Sequence, residues 1–129
     1  QALAGGYIPV IAPVAIHVID SSEHSGVLLN VNGDTAAGEI ARELEAEFMV
    51  FLTDVDGVMD SNRRIISRLT ASQGAGLIRS GTVAGGMVPK VEACLRALGK
   101  VRVAQILDGR NSRVLLDFVE GRPSGTRID

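Results

Sequence analysis

Residues 85–110 read "GGMVPKVEACLRALGKVRVAQILDGR", and this stretch decides the fold class. Its first part predicts an amphipathic helix ended by Gly99, because apolar residues recur at helical spacing at Met87, Val91, Cys94, Leu95 and Leu98. The "VRVAQILDG" that follows predicts a strand, since it is rich in β-branched and aliphatic residues. A helix that leads directly into an apolar strand is the repeating unit of α/β proteins with a parallel sheet.

The same alternation extends through the rest of the chain. "VLLNVN" predicts a strand at residues 27–32, and the residues from Asp34 to about Glu45 follow helical spacing. The continuous apolar run from Phe48 to Leu52 is typical of a strand that is covered on both faces. We therefore predict one α/β domain with a mainly parallel sheet. Its remaining elements are a short strand in "YIPVIAPVAI", a helix opened by a Thr70–Gln73 capping box and ended by Gly81, a helix in "NSRVLLDFVEG" capped by Asn111 or Ser112, and a last strand in "GTRI".

Composition limits the classes of partner. The 129 residues are 46% hydrophobic and carry a net charge of −2, so there is material for one core but no basic face for nucleic acid or for a membrane surface. Cys94 has no disulfide partner, and nothing resembles a signal peptide or a membrane span, which predicts a cytoplasmic protein. Cys94 is expected to be buried. His17 and His24 belong to no metal-ligand spacing, so no metal site is predicted.

Lys90, one of only two lysines, stands in the first turn of the predicted helix. A cation there opposes the helix dipole, and the preceding Gly85 and Gly86 cost conformational entropy. An anion in front of that turn would explain both features, and phosphate is what a lysine at such a helix start commonly binds. A surface lysine after a glycine turn is the alternative that this pattern leaves open.

Three polar clusters follow predicted strands: residues 30–34, 53–57 and 108–110. In parallel sheets, ligands bind outside the carboxyl ends of the strands, so these clusters mark a candidate site. Asp34 taken alone could be a helix N-cap, and an Asp-Gly turn would explain Asp56 and Gly57 without any ligand. The chain has no GxxxxGK[ST] loop, no GxGxxG after a strand and no serine nucleophile elbow.

The order of the motifs "GYIPVIAPV", "NVNGDTAAGEIA", "FLTDVDGVMD", "GGMVPKVEACLRAL", "ILDGR" and "GTRI" resembles the carboxyl-terminal half of the acetylglutamate kinase family. The resemblance covers nearly the whole chain. It implies the amino acid kinase fold, an αβα sandwich, and ATP-dependent phosphorylation of the γ-carboxylate of N-acetyl-L-glutamate in arginine biosynthesis, with Mg²⁺ accompanying the ATP. The family's "NAD" is "NGD" here, and "AIHVIDSSEHSG" is longer than the usual hairpin.

The resemblance also implies roles for individual residues. Lys90 would stabilise charge on the transferring phosphoryl group, Asp34 would orient the catalytic lysines, and Asn30 together with Asn32 would bind acetylglutamate. The nucleotide contacts carry over to Thr53, Asp54, Val55, Asp56, Gly57, Val58, Thr82, Val83, Ala84, Gly85, Gly86 and Met87.

Members of this family are about twice as long, so residues 1–129 are expected to be the nucleotide-binding lobe without the amino-terminal acetylglutamate-binding lobe. That lobe carries a glycine-rich phosphate loop and a second lysine, so the chain alone is expected to be inactive. Its loss should expose apolar surface and favour self-association. The tail "VEGRPSGTRI" resembles that of dimeric members, so a homo-oligomer is expected. Two other readings stay open: another amino acid kinase, such as a glutamate 5-kinase, carbamate kinase or uridylate kinase, and a non-catalytic binding module.

Overall fold

The computed structural model describes residues 2–17, 26–122 and 124–129. A 3₁₀ turn at Leu3–Gly5 precedes ten regular elements. In chain order these are β1 (Val14–His17), β2 (Val27–Asn30), α1 (Gly33–Glu43), β3 (Phe48–Thr53), β4 (Arg68–Leu69), α2 (Ala71–Arg79), α3 (Met87–Ala97), β5 (Val103–Asp108), α4 (Val114–Val119) and β6 (Thr126–Ile128).

The predicted mainly parallel sheet is confirmed. Its four strands lie in the order β3-β5-β6-β4; β3 pairs with β5 and β4 with β6 in parallel, whereas β5 and β6 are antiparallel. Strands β1 and β2 form a separate antiparallel pair. Only β4, two residues long, was not predicted, because so short a segment carries no periodic signal.

One face of the sheet forms the core. Met49 and Phe51 of β3 lie beside Ala104 and Ile106 of β5, and all four side chains are buried in one cluster with residues of α1 and α3. The opposite face is covered by α4, where Phe118 packs edge-on against Phe48 with ring centroids 5.4 Å apart. The sheet therefore has helices on both faces, as an αβα sandwich requires.

The second face is covered less completely than the apolar run of β3 predicts. Phe48 and Leu52 remain about half exposed. Helix α4 has only six residues and leaves, beside Phe48, a groove of about 570 Å³ lined in part by Val103 and Arg127. The expectation that both faces of β3 are buried is therefore wrong for this structure.

The helix boundaries follow the predicted signals, with one difference at α4. The capping box at Thr70 and Gln73 is present, Gly81 adopts a left-handed φ of 73° after α2, and Gly99 does so after α3. The cap of α4 is Arg113, whereas Asn111 accepts a hydrogen bond from the Arg113 N–H just before the helix.

The predicted strand in "YIPVIAPVAI" is limited to β1 at its end, and the preceding residues 7–13 lie outside regular structure. Apolar side chains in this part of the chain are exposed: Ile8 is 91% and Val10 97% accessible, and the three apolar residues of β2 are exposed as well. This confirms the expected exposed apolar surface. His24 and the longer part of "AIHVIDSSEHSG" lie outside the described residues. Within the described ranges no helix has the length and hydropathy needed to cross a bilayer.

Candidate active site

The connections of the fold bring two helix starts to one edge of the sheet. Residues 44–47 lead from α1 to β3 and residues 98–102 lead from α3 to β5, so each helix runs antiparallel to the strand that follows it. The amino termini of α1 and α3 therefore lie at the edge where β3 and β5 end. That edge collects all three polar clusters predicted from the sequence.

Lys90 and Asp34 meet at this edge. The Lys90 ammonium nitrogen Nζ lies 3.0 Å from Asp34 Oδ2, and the two side chains are only 20% and 21% exposed. Because each comes from the first turn of a different helix, their contact depends on the packing of α1 against α3. Lys90 is therefore not an isolated surface lysine, and the structure brings together the residue predicted to stabilise the phosphoryl charge and the residue predicted to orient it.

The cap of α1 is Asn32 rather than Asp34. Asn32 Oδ1 accepts a hydrogen bond from the Thr35 N–H at 3.0 Å, whereas Asp34 lies within the first turn. A carboxylate there is favoured by the helix dipole, but capping does not account for it. Asn30 ends β2 three residues before the helix and is exposed. Both asparagines therefore lie just before Asp34 in the sequence.

We call the residues after β3 the β3 loop (residues 54–58). Its buried end is held by Thr126. Val58 is fully buried, and its N–H donates to the Thr126 hydroxyl at 2.8 Å; that hydroxyl in turn donates to the Ile66 carbonyl at 2.7 Å. Gly57 has φ 150°, and a Cβ there would lie 2.8 Å from Thr126 Oγ1, which explains the glycine. Asp54 and Asp56 remain exposed above this support.

Residues 80–86 connect α2 to α3. The Thr82 hydroxyl lies 3.0 Å from that of Ser80, and Val83 is buried with its N–H donated to the Leu77 carbonyl. Ala84, Gly85 and Gly86 are exposed, and Gly85 adopts a left-handed φ of 57°. The exposed backbone directly before Lys90 is thus accessible to a ligand at the start of α3. The nucleotide contacts predicted for Val58 and Val83 stay predictions, and in this structure their side chains lie beneath the site.

Sequence reasoning missed the part that Arg110 plays at this edge. The guanidinium donates from Nε to Asp108 Oδ1 at 2.8 Å and from Nη2 to Asp56 Oδ1 at 2.8 Å, so it joins the residues that follow β5 to the β3 loop. These hydrogen bonds lower the pKa of Asp108 to about 2 and raise that of Arg110. The available signal was "DGR" at the carboxyl end of a buried strand.

Two further observations concern nucleophilic and metal-ligating side chains. Burial raises the pKa of the Cys94 thiol to about 12, so this cysteine is a core residue beneath the site and not a nucleophile. Among the residues that the structure describes, no three His, Cys, Asp or Glu side chains are placed to hold a metal ion. The paired ammonium beside the exposed backbone of residues 84–86 suits an anionic ligand, and the exposed carboxylates can accept hydrogen bonds from hydroxyl or amino groups on that ligand.

Comparison with known proteins gives the family. The amino acid kinase family model matches residues 1–108. The acetylglutamate kinase of Nautilia profundicola is 45% identical over 128 residues, which are 98% of this chain and 44% of that protein. The acetylglutamate kinase of Dehalococcoides mccartyi strain CBDB1 is 46% identical over 121 residues, which are 93% of this chain and 44% of the relative. The chain thus spans less than half the length of the curated relatives that it matches.

Solved structures agree in fold. N-acetylglutamate synthase from Neisseria gonorrhoeae, complexed with coenzyme A and L-arginine, superposes with a TM-score of 0.82 at 26% identity and covers 98% of this chain and 28% of that one. Carbamate kinase from Giardia lamblia bound to AMP-PNP gives 0.70 at 25% identity over 84% of this chain and 35% of that one. Since the family model covers well over half of the residues, this chain belongs to the amino acid kinase family.

Proposed function

We propose that residues 1–129 are the nucleotide-binding lobe of an acetylglutamate kinase, which transfers the γ-phosphoryl group of ATP to the side-chain carboxylate of N-acetyl-L-glutamate. The two acetylglutamate kinases at 45% and 46% identity support this substrate over that of the other amino acid kinases. The observation that carries the proposal is the ion pair of Lys90 and Asp34 at the carboxyl edge of the sheet.

The chemistry suits this pair. A carboxylate oxygen of the substrate attacks the γ-phosphorus, the bond to the β–γ bridging oxygen breaks, and ADP leaves; no proton has to be removed because the nucleophile is already ionised. Phosphoryl transfer of this kind depends on positioning and on positive charge near the phosphoryl oxygens. Lys90 supplies that charge, and Asp34 holds the ammonium in one place.

The other predicted contacts fit around the pair. The nucleotide lies along the β3 loop and the exposed backbone of residues 84–86, with Asp54 and Thr53 available to ribose hydroxyls. Asn30 faces the acetylglutamate, and the amide NH₂ of Asn32 can join it because the side-chain oxygen is used for capping. Mg²⁺ would be held by the nucleotide phosphates, as the resemblance implies, and would offset their charge.

The remainder of the enzyme supplies what this chain lacks. The part of the relatives that the chain does not match would provide the second lysine, the glycine-rich phosphate loop and most of the acetylglutamate site. We therefore expect the chain alone to bind nucleotide weakly and not to turn over. The exposed apolar residues of β1, β2 and the segment before them are the surface on which that part would pack.

The two lysines make a controlled binding experiment possible. Lys100 is also paired with a carboxylate of the α1 region, Glu45 at 3.3 Å, but both groups are more exposed. In calorimetric titration with Mg-ATP, Lys90→Ala should weaken binding about tenfold or more, as loss of a charge-assisted contact to phosphate predicts. Lys100→Ala should leave the affinity unchanged. Equal effects of the two substitutions, or no binding by the unmodified chain, would count against a nucleotide site at Lys90 and favour a non-catalytic module.

A further inference from the structure

Arg110 connects the two loops that leave the carboxyl ends of β3 and β5. Its guanidinium makes a two-pronged contact with Asp108, from Nε at 2.8 Å and from Nη2 at 2.9 Å, and Nη2 also reaches Asp56 at 2.8 Å. The Arg110 backbone N–H donates to Asp108 as well, at 3.0 Å. The Arg110 side chain is therefore fixed in orientation, and it holds Asp56, which lies 54 positions earlier in the chain.

Asp56 depends on this contact. It is exposed and lies directly before Gly57, and Arg110 is the side-chain partner that the structure gives it among the described residues. Thr126 fixes the buried end of the β3 loop through Val58, but that contact does not reach the exposed end. Arg110 thus links Asp56, at the exposed end of the loop, to the residues that end β5.

Charge gives a second reason for an arginine here. Asp54, Asp56 and Asp108 all act electrostatically on Arg110 and stand at the edge where a polyphosphate is expected. Three carboxylates without a counter-charge would repel such a ligand, and solvent screens only part of this repulsion at short range. The guanidinium offsets part of that negative charge without occupying the loop itself.

We propose that Arg110 is a positioning residue for nucleotide binding, which holds the exposed half of the β3 loop through Asp56 and offsets the carboxylates around it. The inference rests on the proposed function. Lysine should not replace Arg110, because one ammonium group cannot hold Asp108 from two nitrogens in a plane and reach Asp56 as well.

The test uses residues 1–129 and Mg-ATP. Arg110→Gln should raise the dissociation constant roughly threefold to tenfold, the range expected when an ion-pair network at a partly exposed site is lost. Arg110→Lys should restore only part of the affinity. If Arg110 acts through Asp56, Asp56→Asn should add little to the effect of Arg110→Gln, so the double variant should bind about as well as the single one.

Arg102→Gln is the matched control, because Arg102 makes a similar surface pair with Glu47, at 2.9 Å, at the edge where β3 and β5 begin. Amide hydrogen exchange at residues 54–57 provides a readout that needs no ligand, and Arg110→Gln should accelerate it whereas Arg102→Gln should not. If Arg110→Gln leaves affinity and exchange unchanged, the proposal is overturned. If the unmodified chain binds no nucleotide, the proposed function fails separately, and unchanged exchange at residues 54–57 would still refute the role of Arg110.

Discussion

Gly38 of α1 lies directly against Ala93 of α3. A Cβ at position 38 would stand 3.0 Å from the Cβ of Ala93 and 3.2 Å from its carbonyl oxygen. Asp34 precedes Gly38 by one turn, and Lys90 precedes Ala93 by three residues. The close approach of the two helices at this pair of small residues therefore sets the distance over which Lys90 and Asp34 can form their ion pair.

We expect Gly38→Ala to separate the two helices. Alanine in a helix interior is favoured over glycine by about 1 kcal/mol, but here the new methyl group meets backbone atoms of Ala93 that cannot rotate away. The variant should fail to gain this stability and should bind Mg-ATP less tightly, as measured by urea unfolding and titration calorimetry.

Gly76→Ala is the control for that substitution. Gly76 lies inside α2, and the nearest atom to a Cβ there is the flexible end of Arg79 at 4.0 Å. This variant should become more stable by roughly 0.5–1 kcal/mol and should keep its nucleotide affinity. If Gly38→Ala gains as much stability as Gly76→Ala, the packing of α1 on α3 is not as close as described.

Thr126 is a second point on which the site depends. Its buried hydroxyl accepts from the Val58 N–H and donates to the Ile66 carbonyl, so Thr126→Val would leave both groups without a partner. We expect a loss of about 1–3 kcal/mol in the free energy of unfolding, the cost of unsatisfied buried polar groups. Thr126→Ser, which keeps the hydroxyl, should recover most of the loss in denaturant unfolding. Equal stability of the valine and serine variants would show that the hydroxyl is not needed.

Much of the fold could be predicted because its signals are local. The apolar stripe of α3, the Thr70–Gln73 capping box and the apolar run of β3 each lie within one segment, and each element formed where it was expected. The exposure of Phe48 could not be predicted in this way, because it depends on how far α4 extends over the sheet.

The same distinction between local signals and long-range contacts applies to the residues of the site. Lys90 and Asp34 stood out because each is unusual in its own segment, and the motif resemblance assigned them to one mechanism. Arg110 and Thr126 act on the β3 loop from 54 and 68 residues away. The cluster at residues 108–110 was predicted to border the site, but the contact of Arg110 with Asp56 could not be predicted, because it depends on the pairing of β3 with β5.

The Asp108–Arg110 pair makes a prediction about pH. Hydrogen bonds from Arg110 lower the pKa of Asp108 to about 2 from its ordinary value of 3.8. Since the folded-state pKa is depressed, the pair contributes fully above about pH 4 and is lost as the pH falls through about 2. Carboxyl ¹³C shifts of Asp108 should titrate near pH 2 in the unmodified chain and near the ordinary value in Arg110→Gln. A midpoint near pH 4 in the unmodified chain would contradict the contact.

The apolar surface before α1 makes a prediction about association. Ile8 and Val10 are almost fully exposed and stand among other exposed apolar residues, an arrangement that monomeric proteins generally avoid. In sedimentation velocity over a range of concentrations, the unmodified chain should self-associate, and Ile8→Asp with Val10→Asp should shift it toward monomer. Folding should be unaffected because both side chains already contact water. Val119→Asp, at an exposed residue of α4, should leave the association unchanged, and a clean monomer for the unmodified chain at high concentration would refute the prediction.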